Sequence, residues 1–371
     1  MRTRIRDVRV FDGERTLPET DVLIDGDRIA EPGAGPVDVE VDGTGRTLLP
    51  GLIDAHTHAF DGDLAEALKF GVTTELDMNN LPPILAAQRR QAAERDDVAD
   101  LRSSSMIATA PHGHPTQIMT PDLLRSLGAD GGLDTVADSG EAKAFVEARL
   151  DEGADYLKIA IDDGAVSGMK LPALTPDLAA VLVEAGHAAG LRVIAHTVTA
   201  REALLALDAG VDGLAHLYSD VPEERAEEVA ARIAAYDAFV VSTITYIEAV
   251  TTALAKGIPM HAQGVRNASH AAAALHRAGV PLLAGTDATP FGPAHGAALH
   301  RELLLLTRAG LTPEQALRSA TSATARCFGL ADRGVVAPGR RADLLLIEGD
   351  PTTDITATRS IAGVWRAGTR L

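Results

Sequence analysis

The stretch Leu48–Ala59, LLPGLIDAHTHA, places Asp54, His56 and His58 at two-residue intervals behind an apolar run. Side chains two apart on a strand share a face. At a strand end His56 and His58 therefore point the same way, close enough to grip one divalent ion, and imidazole is the commonest ligand for such ions. An isolated His-x-His pair is as readily two packed or surface histidines. Four further residues of suitable chemistry lie far downstream on other apolar runs. Lys158 sits inside YLKIAI, His196 closes LRVIAHT, His216 closes DGLAHL and Asp287 follows PLLAGT. Six such residues on five apolar runs are hard to explain as packing.

Lys158 is the most informative of them. Flanked by Leu157 and Ile159, it is expected to point inward with Tyr156 and Ala160. A buried ammonium loses its hydration and is rare unless paired. A neutral amine can instead combine with CO2 to give a carbamate, a carboxylate-like anion able to bridge two divalent ions. The competing reading is a lysine paired with Asp162 or Asp163.

The elements that must carry these residues alternate. Eight short apolar runs read as strands: Leu52–His56, Val72–Asp77, Leu101–Thr109, Asp155–Ile161, Leu191–His196, Asp212–His216, Phe239–Thr243 and Pro281–Thr286. Amphipathic Ala- and Leu-rich stretches separate them, at 81–95, 141–151, 176–189, 201–209, 222–235 and 263–278, with two more helices at 298–308 and 313–325. Gly153, Gly190, Gly210 and Gly279 stand where a helix would stop before the next strand. Eight β-α units in a row predict an α/β fold of the (β/α)8 TIM-type barrel, whose functional groups sit at the C-terminal strand ends. A doubly wound sheet is the competitor. The first 49 residues alternate like strands around Asp-Gly turns, and residues 342–347 and 360–366 have the same character. The expected organisation is a small discontinuous β-sandwich from residues 1–49 and 335–371, around a barrel over 50–334.

This constellation resembles the metal-dependent amidohydrolase superfamily over essentially the whole chain. The matching pieces are PGLIDAHTH (50–58), Lys158 in DYLKIAIDDG, His196 in IAHT, GVDGLAHLYSD (210–220), AGTDA (284–288) and PGRRADLLLIEGDP (338–351). The run at 294–330 is similar to the imidazolonepropionase-like and prolidase-like group. The resemblance implies two divalent metal ions, zinc being the expected one, with manganese, iron or cobalt also suited to such ligands. His56 and His58 would bind the first, His196 and His216 the second, and a carbamate on Lys158 would bridge them. Asp287 would touch the first metal and shuttle the proton, so Asp287, Lys158 and His216 form the implied catalytic set. Single-metal deaminases of this superfamily use a helix-borne glutamate near the fifth strand. No His-x-x-Glu pattern stands there, which favours two metals.

The implied activity is hydrolysis of an amide, lactam or related C–N bond of a small molecule by metal-activated hydroxide. A prolidase-like dipeptidase or N-acyl amino acid hydrolase is the alternative. A carboxylate-binding Arg would support it, and no loop near the expected strand ends supplies a clear one. A deaminase, esterase, decarboxylase or non-catalytic binding protein on the same scaffold ranks lower. Substrate contacts are expected from loops after the strands. The candidates are His114 and Gln117 in ATAPHGHPTQ, Tyr218, Tyr246, and His295 in PFGPAHG, each of which could equally be loop packing. His187, His261, His270, His276 and His300 read as surface or structural residues.

The bulk composition agrees with a globular enzyme. The chain has 371 residues, 46% of them hydrophobic and 23% charged. A net charge of −18 argues against a duplex nucleic-acid binder and against adhesion to anionic lipid. The single cysteine, Cys327, rules out an intrachain disulfide and is expected to be small and buried. The N-terminal MRTRIRDVRVFDGERTL lacks the apolar core of a signal peptide, and no run suits a membrane helix. The expectation is a cytoplasmic protein acting on a small-molecule substrate, with no nucleic-acid or membrane partner; homo-oligomer formation stays open.

Overall fold

The structure is a computed structural model, and it describes residues 1–33, 35–127, 132–254, 261–290 and 292–371. Side chains at 251–254 and at 261–262 are also outside the description, so the expectation for the His261 side chain lies outside the described residues. The strands in chain order are β1 (Arg2–Phe11), β2 (Thr16–Asp25), β3 (Arg28–Ala30), β4 (Val39–Asp42), β5 (Arg46–Pro50), β6 (Leu52–Thr57), β7 (Val72–Asp77), β8 (Asp100–Ser103), β9 (Leu157–Ala160), β10 (Val193–His196), β11 (Gly213–Ala215), β12 (Phe239–Val241), β13 (Leu282–Leu283), β14 (Leu344–Glu348), β15 (Ile361–Arg366) and β16 (Thr369–Arg370). The fold is mixed α/β. Every one of the eight expected apolar runs contains a strand, β6 to β13. Among the described residues their hydrogen bonds give a three-stranded sheet, β6-β7-β8, and a five-stranded sheet, β13-β12-β11-β10-β9, and no closed barrel. β6 and β7 span their full runs, whereas β8 to β13 are shorter than theirs; β13 keeps only two residues before Ala284.

The chain divides into two compact units. The first comprises Met1–Leu76, Arg90–Leu101 and Leu283–Leu371. Here both chain ends enter one eight-stranded sheet in the order β16-β15-β14-β5-β1-β2-β3, with β4 on β1. The link is β5, parallel to β1 on one side and antiparallel to β14 on the other. Its core packs Ile5, Val10, Ile24, Leu48, Leu344, Leu346 and Trp365 together. The expected helix over 313–325 is two helices, Pro313–Ser319 and Ser322–Cys327. The break turns two carbonyls outward: Ala320 accepts from the Ile53 amide of β6 at 2.7 Å, and Ser319 accepts from the Ala284 amide at 2.9 Å. Cys327 is half-buried rather than buried.

The second unit comprises Asp77–Arg89 and Arg102–Leu282. Its strands β9 to β12 run parallel, with His196 opposite Ala160 and Ala215. Parallel strands covered on both faces read as continuous apolar runs, and β9, β11 and β12 are buried at every position. Two of the helices between them start on threonine caps: Thr175 before Pro176, and Thr199 in a capping box with Glu202. The four expected stop glycines all have positive φ, between 76° and 92°. Among the described residues no helix is long and apolar enough to cross a membrane.

Leu346 is fully buried in the sheet that joins the two chain ends. Leu346→Ala should cost about 2–5 kcal/mol of stability. Fluorescence of the single tryptophan, Trp365, in the same core reads this directly in a urea titration. An unchanged midpoint would show that this sheet does not limit stability.

Candidate metal centre

In the first unit, β6 delivers His56 and His58 to its C-terminal end, and the segment after β13 delivers Asp287 against them. Asp287 Oδ1 stands 3.4 Å from His56 Nε2 and 3.0 Å from His58 Nε2. The two rings lie 5.4 Å apart and nearly perpendicular, at 72°. Donors about 2 Å from one tetrahedral ion stand about 3.3 Å from each other, so these separations suit a shared divalent cation. The backbone fixes this meeting: the His56 carbonyl accepts from the amides of Thr286 at 3.2 Å and Asp287 at 2.8 Å, and the His58 amide donates to the Ala288 carbonyl at 2.9 Å. Asp287 holds φ at +53°, a region costly for residues other than glycine.

Beneath this set lies a buried layer of acids. Asp54 accepts from the Thr286 amide at 3.0 Å and hydroxyl at 2.7 Å, and from the His56 amide at 3.2 Å. Burial, with the Glu75 charge nearby, pushes its carboxyl up to about 8 against those hydrogen bonds. Glu75, fully buried in β7, is likewise raised by burial and accepts from His295 Nδ1 at 2.8 Å. His295 also faces Asp63 at 3.3 Å. Burial alone would lower the His295 pKa; the Glu75 carboxylate, then Asp63 and Asp54, overrides it and holds the imidazole at about 9. His295, expected at a substrate loop, is thus a buried ion-pair residue. The signal for its partner was present in the sequence, since an acid inside the apolar run Val72–Asp77 demands one for the reason Lys158 does.

In the second unit, β10 and β11 bring His196 Nδ1 within 2.9 Å of His216 Nε2, with ring planes at 74°. His216 Nδ1 meets the Thr243 hydroxyl at 2.8 Å. His216 and Thr243 both have positive φ, 78° and 49°, each just past the end of a strand, β11 and β12. Lys158 is 1% exposed on β9, beside β10. The carboxylate of Asp163 binds Arg201, and Asp162 Oδ2 lies 3.4 Å from His196 Nε2 and 3.6 Å from His114 Nδ1. Burial would raise Asp162, but hydrogen bonding and charge from His196, then His114, hold it well below the usual carboxylate range. His114, Asp162 and His196 can be grouped as possible ligands. The two rings, however, stack at 4.3 Å and 20°, so their in-plane lone pairs do not converge on one ion. Asp162 instead serves as the carboxylate partner that leaves His196 Nδ1 to face His216.

Of the expected substrate residues here, Gln117 reaches His114 Nδ1 at 3.0 Å. Tyr218 is buried and donates its hydroxyl to the Ala226 carbonyl at 3.0 Å, so it packs against the next helix. Tyr246 is half-buried in the first turn of the helix Ile244–Leu254. A helix-borne glutamate does follow the fifth strand run, unnoticed in the sequence because it lies six residues after His196. This residue, Glu202, is committed to the backbone, accepting from the amides of Asp163, Val198 and Thr199 at 3.0–3.1 Å.

The model of the amidohydrolase family matches residues 47–371. The chain belongs to the amidohydrolase family. As an amidohydrolase it is a hydrolase acting on carbon–nitrogen bonds. An imidazolonepropionase of Cereibacter sphaeroides is 28% identical, the match covering 98% of this chain and 95% of the relative. Among solved structures, a Xaa-Pro dipeptidase with methionine bound in its active site superposes with a TM-score of 0.85 at 21% identity, covering 100% of both chains. The ochratoxinase of A. niger gives 0.82 at 22% identity, covering 100% of this chain and 95% of that one. At such identities the structural matches speak for the fold of this amidohydrolase and not for its substrate.

Asp162→Asn removes the carboxylate charge that faces His196 Nε2 and should weaken divalent-metal affinity about 10- to 100-fold. Competition with a chelating dye measures it; an unchanged affinity would reduce Asp162 to a packing role.

Proposed function

We propose that this amidohydrolase is a binuclear, metal-dependent hydrolase of a small amide or lactam. The observation that carries the reading is the donor geometry: one carboxylate facing two imidazoles in the first unit, and two imidazole nitrogens facing each other at 2.9 Å in the second, beside a buried lysine. His56, His58 and Asp287 would hold one ion, His196 and His216 the other, and Lys158, as its carbamate, would be a further ligand. Zinc suits this mixture of imidazole and carboxylate. On this reading the scaffold is a (β/α)8 barrel over residues 50–334 with a sandwich from 1–49 and 335–371.

When bound, the divalent ions would supply Lewis acidity and lower the pKa of water toward neutrality. The chain's own residues do the rest. Asp287 accepts the proton of the attacking water and returns it to the leaving nitrogen, which needs a carboxylate held close and partly desolvated. Its 6% exposure meets that need. Gln117, 3.0 Å from His114 Nδ1, would orient that ring so that its Nε2 can meet a substrate carbonyl. Asp162 and Thr243 face the outer nitrogens of His196 and His216 and would orient the two rings.

A screen of cyclic amides, N-acyl amino acids and dipeptides tests the substrate class, Xaa-Pro dipeptides being the second reading. Two variants test the roles. Lys158→Ala should lose both metal and activity, with partial recovery on adding short carboxylates; unchanged metal content would remove the carbamate. Asp287→Asn should keep most of the metal and lose at least about 100-fold in turnover, the scale of general acid–base catalysis. Near-normal turnover would remove Asp287 from the mechanism.

A further inference from the structure

We propose that His295 is a positioning residue for the first donor set: by bridging Glu75 to Asp63 it fixes the turn through which the chain leaves His58. The inference rests on the reading of His56, His58 and Asp287 as metal ligands. His58 is the most exposed of the three, at 23% against 2% and 9%, so its ring has the least packing to hold it. Four residues later the chain turns at Gly62 and enters the helix Asp63–Lys69. Asp63 closes this turn by accepting from the Phe60 amide at 2.8 Å. The same carboxylate oxygen lies 3.3 Å from His295 Nε2, and His295 Nδ1 is bonded to Glu75 on β7, the neighbour of β6. The path from His58 thus runs back to the strand beside its own through one imidazole.

Two neighbouring contacts keep that imidazole in place. A Cβ at Gly296 would fall 2.9 Å from the Ala67 backbone and the Phe70 side chain, so only glycine lets this turn approach the helix so closely. His300 Nε2 donates to the Phe70 carbonyl at 2.9 Å, anchoring the other end of the same helix. Burial pushes His300 down to about 4, so it acts as a neutral donor. His295 is the charged member. The acids facing it are Glu75 from β7, Asp63 from the helix start and Asp54 from β6, and together they hold it at about 9. Raised above its ordinary value, this group contributes fully below about pH 6.5, and its contribution is lost as pH climbs through 9.

The test uses the zinc-loaded full chain, reading zinc transfer to a chelating dye together with amide hydrogen exchange at Phe60. His295→Gln should speed release of the more labile zinc about ten-fold or more, the scale of a supporting-residue effect, and speed Phe60 exchange in parallel. Because that variant leaves Glu75 buried without its cation, the pair His295→Gln with Glu75→Gln is made alongside, keeping side-chain amides in both places without charge. Wild-type release should accelerate as pH rises through 9, and the double variant should lack that step. Folded variants with wild-type release and wild-type Phe60 exchange would overturn the role of His295 alone. A wild-type chain that holds no zinc would overturn the metal reading and this inference together.

Discussion

Asp287 faces His56 and His58 with one carboxylate oxygen, at 3.4 and 3.0 Å, at the end of a strand that is buried at every position. Bringing these groups out of water is costly unless each finds a partner. The first unit arranges its polar backbone to meet that demand. The His56 carbonyl takes two amides from the Thr286–Asp287 turn, and Asp54 takes the Thr286 hydroxyl and amide. The helix break at Ala320 frees a carbonyl for the amide of Ile53, the residue immediately before Asp54. The strain at Asp287 is held by these bonds.

The same constraint orders the second unit differently. There the imidazoles of His196 and His216 face each other, and their outer nitrogens meet Asp162 and Thr243. Each ring therefore has a polar neighbour at both nitrogens, which limits its rotation. In both units the positive-φ residues Asp287, His216 and Thr243 stand where a strand hands over to a loop. Binding residues are commonly carried on loops that a rigid scaffold positions.

Much of this was legible in the sequence because strand chemistry is local. Period-two spacing puts His56 and His58 on one face whatever they pack against, and apolar runs mark β6 to β13. What could not be read is what a polar side chain meets after a long excursion of the chain. His295 looked like a loop residue, yet its partner is Glu75, 220 positions earlier. Tyr218 shares the spacing of a site residue and spends its hydroxyl on Ala226. Helix periodicity through 313–325 concealed the break at Ala320, since the need for it comes from β6 and not from the helix itself.

Elemental analysis of the purified, unstripped protein tests the central claim most directly. The account requires about two divalent ions per chain, the number a binuclear hydrolytic centre uses. One ion per chain would point instead to single-metal chemistry at His56, His58 and Asp287. A chain that folds, retains no metal and binds none on titration would contradict the account.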